Sequence, residues 1–201
     1  MKAKGYLSGT VRAVLMGGII LLAGCAQPPT EKVTALQNDL SLCETMGAGT
    51  FAPADFEKVS QKMAELTGLM DQKKYRQATA LADSLAAEVV ALKTATEANG
   101  KEMAGKLVQS ANQELGMLKV LLSEENAKIL GEEAAKKCMD QCADYEGMIA
   151  RMQSDFDNGS YRQVCDNSSL VEKIAASAQS LNTELEQAKA LQEQKKPARR
   201  R

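Results

Sequence analysis

The chain has 201 residues, no histidine, no tryptophan and only 3% aromatic side chains. It therefore lacks the commonest general base and metal ligand and most of the rings that line deep ligand pockets. A formal net charge of −1 leaves no chain-wide cationic surface for nucleic acid, and 44% hydrophobic with 25% charged residues suits one folded domain or two small ones.

Lys2, Lys4 and Arg12 precede an apolar run, Ala13–Ala23, too short for the roughly 20 apolar residues that span a bilayer. This predicts a cleaved secretion signal over residues 1–24, outside the fold. Leu22-Ala23-Gly24-Cys25 resembles the lipobox of bacterial lipoproteins. The resemblance implies cleavage between Gly24 and Cys25, diacylglycerol on the Cys25 thiol and acylation of the new N-terminus. Stable anchoring takes more than one such chain. Ala26, by resemblance to enteric lipoproteins, implies sorting to the outer membrane, facing the periplasm. Residues 25–32 then read as a lipidated tether, whose six residues Ala26–Glu31, held extended by Pro28 and Pro29, reach about 20 Å at most.

After Pro53 the next proline is Pro197, and the stretch between is rich in good helix formers. Val33, Leu36, Leu40 and Cys43 repeat at helical spacing, and Gly47-Ala48-Gly49-Thr50 breaks that helix. Phe56, Val59, Met63, Leu66 and Met70 form the next stripe, followed by a turn at "DQKKY". Ala78, Ala82, Leu85, Val89 and Leu92 continue the pattern, and Asn99-Gly100 reads as a helix stop. Ala104, Val108, Ala111, Leu115, Leu118 and Leu122 make a further stripe, and Ser123 with Glu124 and Glu125 reads as a helix start. Then come Cys138, Cys142, Tyr145, Ile149, Met152 and Phe156, a turn at "DNGS", and finally Val171, Ile174, Ala178, Leu181, Leu185 and Ala188. The expected fold is all-α: elongated helical hairpins in a bundle with coiled-coil-like seams. Residues 33–122 form a first unit and 123–194 a second hairpin.

The two units echo each other. "MDQKKYRQATALADSL" (Met70–Leu85) matches "FDNGSYRQVCDNSSLV" (Phe156–Val171), each with Asp, a polar turn and Tyr-Arg-Gln. Met63, Leu66 and Met70 align with Ile149, Met152 and Phe156, as expected for a tandem duplication. Ala52–Val89 resembles the DUF4398 family of bacterial envelope lipoproteins, with an Ala-Pro start, a helix, a Lys-Tyr turn and an Ala-rich second helix; it is also similar to a tetratricopeptide hairpin. The second unit lacks the Ala-Pro start, and Val164-Cys165 stand where the first has Ala78-Thr79. The resemblance implies a helical envelope domain and no particular activity.

Cys43, Cys138, Cys142 and Cys165 lie on or beside apolar stripes, as small core side chains do. Export to an oxidising compartment makes disulfides worth weighing. Closing a hairpin near residue 158 puts Cys165 roughly 15 Å from Cys142, beyond disulfide reach. If every break, Gly100 included, reverses the chain, Cys43 comes level with Cys138, predicting Cys43–Cys138 or Cys43–Cys142. "CMDQC" has CxxxC spacing and no second pair or histidine, so it does not make a zinc or redox site.

The chain ends in "KKPARRR". Lys195, Lys196, Arg199, Arg200 and Arg201 suit an anionic surface such as cell-wall polymer or lipid headgroups. No nucleophile–base pair, phosphate loop or ligand cluster appears, so a non-enzymatic chain without cofactor or metal is expected. Three roles fit: a periplasmic scaffold binding another envelope protein; a peptidoglycan tether using the basic tail; or a carrier of lipid-like ligands using Met63, Met70, Met103, Met117, Met148 and Met152.

Overall fold

The computed structural model describes residues 27–195, with the side chain of Lys195 outside that description. The described residues form helices and no strand: α1 (Thr30–Thr45), α2 (Ala48–Phe51), α3 (Pro53–Asp71), α4 (Tyr75–Leu121), α5 (Glu124–Leu130), α6 (Glu132–Asp157), α7 (Tyr161–Asp166) and α8 (Ser169–Lys195). The all-α expectation holds.

Local chemistry sets most of the boundaries. Proline cannot sit inside α1, so the helix starts directly after Pro29, whose carbonyl accepts from the Val33 N–H at 3.0 Å. The tether is thus shorter than expected, ending at Pro29. Gly47 ends the α1 segment with φ +95°, and the Phe51 ring fills the space where a Cβ would sit, 2.8 Å from that position. Pro53 opens α3, where a missing N–H costs nothing. Ser123 caps α5 as expected, accepting from the Asn126 N–H at 3.4 Å.

The element that organises the molecule is α4. Its 47 residues make a spine about 70 Å long. The predicted stop at Asn99-Gly100 does not occur: the helix runs straight through. The reason is tertiary. A Cβ on Gly100 would lie 3.0 Å from two Phe51 ring atoms and 3.3 Å from the Tyr161 Cβ, so glycine is there for close packing. Asn99 also turns outward to a neighbour, donating its side-chain N–H to the Phe51 carbonyl at 2.7 Å.

Two cores sit on the two halves of this spine. The first gathers Val33, Leu36, Val59, Leu66, Leu85 and Leu92 from α1, α3 and the front of α4. The second gathers Ala104, Leu115, Ile149, Met152, Ile174 and Leu185 from the back of α4, α6 and α8. The boundary expected at residues 122 and 123 therefore falls inside α4. The buried stripe passes through Thr96, Gly100, Ala104 and Val108: three consecutive four-residue steps where a heptad would alternate three and four. At 100° per residue this carries the buried face about 120° around the helix. The second unit packs on a different side of the spine from the first, and small residues at the crossover let both come close.

The two turns marked by Tyr-Arg-Gln share one backbone pattern. At the α3–α4 turn, Lys74 N–H bonds to Leu69 C=O at 2.9 Å and Lys73 N–H to Met70 C=O at 3.0 Å. At the α6–α7 turn, the aligned Ser160 N–H bonds to Asp155 C=O at 2.8 Å and Gly159 N–H to Phe156 C=O at 3.0 Å. Both are the paired bonds of a Schellman turn. Each needs one residue with positive φ: Gly159 at 75° in the second unit, Lys73 at 56° in the first.

Candidate functional site

Three surface features arise from this architecture. The first is a groove of about 1010 Å³ where the units meet, between the end of α1, the middle of α4 and the start of α7. Thr45, Glu97, Lys101, Tyr161, Arg162 and Asp166 line it. Its chemistry is polar and of mixed charge. Arg162 closes one edge by donating to the Glu44 carbonyl at 3.3 Å, and Tyr161 is braced by the Phe156 ring, centroids 5.6 Å apart.

The second feature is a cleft of about 620 Å³ between α5 and α6 at the far end of the spine, lined by Leu122, Ala127, Ala135 and Met139 with Lys128 and Lys136 among its other lining residues. Gly131, with φ +92°, separates α5 from α6, which begins at the next residue. The third is the α3–α4 turn, where Asp71, Lys73, Lys74 and Arg76 are all exposed.

The expected site residues are scattered over the molecule. Gly24, Cys25, Lys196, Arg199, Arg200 and Arg201 lie outside the described residues, and Lys195 closes α8. Cys43 lies in the first core, while Cys142 lies in the second with Cys138 and Cys165 against it. Because α4 does not reverse at Gly100, the level of Cys43, beside Lys93 and Glu97, is separated from that of Cys142, beside Lys119, by about 35 Å of helix. Neither Cys43–Cys138 nor Cys43–Cys142 can form, and the cysteines at 43, 138, 142 and 165 are free thiols. Burial pushes all four thiols upward, which keeps them protonated and weakly nucleophilic at neutral pH. No group of three metal-capable side chains occurs among the described residues.

The methionines do not share one seam. Met63 belongs to the first core and Met152 to the second, whereas Met103, Met117 and Met148 are 46%, 52% and 47% exposed. The junction groove is hidden from sequence reading because its walls come from three distant segments. Its one sequence signal is the small-residue run Thr96, Gly100, Ala104 at four-residue spacing.

Among the described residues no helix is long and apolar enough to cross a membrane. No protein-family model, curated protein or solved structure matches the chain.

Proposed function

We propose that this chain is a non-enzymatic lipoprotein of the bacterial envelope, held by lipid on Cys25 in the outer membrane and facing the periplasm. Its helical rod serves as a scaffold that binds another envelope protein. The observation that carries this reading is the N-terminal order itself: basic residues, a short apolar run, Leu22-Ala23-Gly24-Cys25, two prolines, then α1 at Thr30. A rod with a polar groove at its waist and an open cleft at its far end supports a role in binding along helical faces.

Labelling cells with a radioactive fatty acid tests the anchor. The wild-type chain takes up label and fractionates with the outer membrane, and Cys25→Ser loses both; an unlabelled wild-type chain rejects the lipoprotein reading. Photo-crosslinkers at Lys101 and Arg162, in intact cells, test the scaffold. One defined envelope protein should be captured, and capture should disappear on Tyr161→Ala. The α5–α6 cleft favours a second reading, carriage of an apolar ligand. Lipid extracted from purified protein and lost on Met139→Glu would support it.

A further inference from the structure

We propose that the α3–α4 turn is a contact site for the anionic phospholipid headgroups of the bilayer that holds Cys25. Its placement rests on the lipoprotein reading above. Its chemistry rests on four observations.

The first is position. Helix α1 runs parallel to α4: Lys32 pairs with Asp83, and Thr45 and Met46 lie beside Thr94 and Thr96. The start of α1 at Thr30 is therefore level with about residue 81 of α4. Tyr75 and the turn before it project about 9 Å beyond that level, at the end of the rod where α1 begins. Cys25 to Pro29 reach about 17 Å at most. A bilayer holding Cys25 is thus within reach of the turn, while the α5–α6 end stands most of the spine's length away.

The second is charge. Lys73, Lys74 and Arg76 are exposed, and among the described residues no ion pair engages any of them. Asp71 is the one acid in the turn. The next acids, Glu31, Glu65 and Asp83, sit back along the rod near the level of the first turn of α1. Tyr75, half-buried at the start of α4, adds beside these cations an amphipathic ring of the type enriched at membrane interfaces.

The third is the internal comparison. The equivalent turn of the second unit is already occupied: Tyr161 packs on Gly100 and Arg162 reaches the Glu44 carbonyl. The first unit presents the same backbone, with Tyr75 and Arg76 at the matching positions, and Arg76 stays exposed among the described residues.

The fourth is Lys73 itself. It holds a φ of 56° where its counterpart is Gly159. A side chain is disfavoured in that conformation. A lysine kept at a glycine position, at the exposed end of the rod, points to a use for its charge.

The test uses residues 25–201 with Cys25→Ser; this segment contains every residue of both cores. Lys195, Lys196, Arg199, Arg200 and Arg201 are changed to Gln, so that the tail contributes no binding. Flotation is measured with equimolar phosphatidylglycerol–phosphatidylcholine vesicles and with phosphatidylcholine alone, at low ionic strength. Binding is expected only with the anionic vesicles, and high salt should remove it. One basic residue near such a surface is worth about fivefold in affinity, so Lys73→Gly weakens binding about fivefold and Lys73→Gly/Lys74→Gln/Arg76→Gln about 100-fold. Lys73→Gly should at the same time raise the thermal midpoint, since it relieves the backbone. A purely structural lysine would lose both or neither. Equal flotation of the triple variant and its parent, or equal binding to neutral vesicles, overturns the proposal. The assay contains no lipidated protein, so its failure leaves fatty-acid labelling at Cys25 to decide the anchor independently.

Discussion

The two units share a turn and differ in almost everything built on it. After Tyr75 the first unit continues as one uninterrupted helix. After Tyr161 the second stops at Asp166 and restarts at Ser169. The aligned segments are "ATALADSL" and "VCDNSSLV". Asp, Asn and Ser compete for the backbone, and Asn167 does so visibly, its side chain donating to the Gln163 carbonyl at 2.8 Å. The break advances the register, so Leu170 enters the core while Val171, the expected core residue, is only half-buried. The means of fastening the hairpins differ too. In the first unit Glu88 of α4 takes Lys62 and Lys58 from α3, the latter at 3.3 Å. In the second, Tyr145 of α6 meets Ser177 of α8 at 2.8 Å and Gln141 at 2.9 Å, without charge. A Schellman turn is thus set by very little sequence, and the helix beyond it is free to diverge.

The sharpest way to separate the units is to damage each core at matched positions. Leu66→Ala in the first and Met152→Ala in the second remove aligned, fully buried side chains, and each is expected to cost about 2–5 kcal/mol. Urea unfolding combined with amide exchange would show whether damage to one unit spreads to the other through α4. Exchange protection lost equally in both units means one cooperative body.

Gly100→Val attacks the junction and neither core. Its side chain would collide with Phe51 and Tyr161, at a cost of about 2–3 kcal/mol from overpacking. Chemical denaturation should then show two transitions, because the units part while each remains folded. One unshifted transition would mean that the close approach at Gly100 is not needed.

A reciprocal exchange at the turns comes next. Gly159→Lys should lower stability by about 1 kcal/mol and Lys73→Gly raise it by a similar amount, both read as midpoint shifts in urea. Shifts of the same sign would break the equivalence of the two turns.

The smallest effect concerns the charged fastening. The Glu88 carboxyl is held below its ordinary value, first by the hydrogen bond from Lys62. A group whose pKa is depressed by folding stabilises the folded state above its unfolded pKa, and loses that contribution as pH falls through the folded value. Glu88→Gln should therefore lower stability slightly at neutral pH, flatten its decline through the carboxylate range, and differ little from the parent below that range. Tyr145→Phe, in the uncharged fastening of the second unit, should leave that acid slope intact.

Much of this architecture is legible in the residues. The spacing from Val33 through Cys43, from Phe56 through Met70 and from Ala104 through Leu118 identifies helices and their buried faces. The repeated Tyr-Arg-Gln locates both turns. The misleading pair is Asn99-Gly100. Read locally, it is a helix stop; its actual role depends on Phe51 and Tyr161, far away in sequence. A reversal placed there carries the cysteine levels with it, and the Cys43 pairings fall together with the turn that implies them. The unusual φ of Lys73 is likewise invisible alone, although aligning "DQKKY" with "DNGSY" sets it opposite Gly159.

The spine also has a mechanical meaning. Among the described residues, α4 is the element that carries both cores, so a load applied at one end of the rod reaches the other through the peptide hydrogen bonds of residues 96–104. Among the described residues, the Asn99–Phe51 and Arg162–Glu44 hydrogen bonds and the Gly100 packing flank that segment. They lie off the helix axis, where they resist bending more than stretching. A body tethered at the α1 end and loaded at the α5–α6 end would behave as a stiff strut, braced against bending at the waist where the polar groove lies.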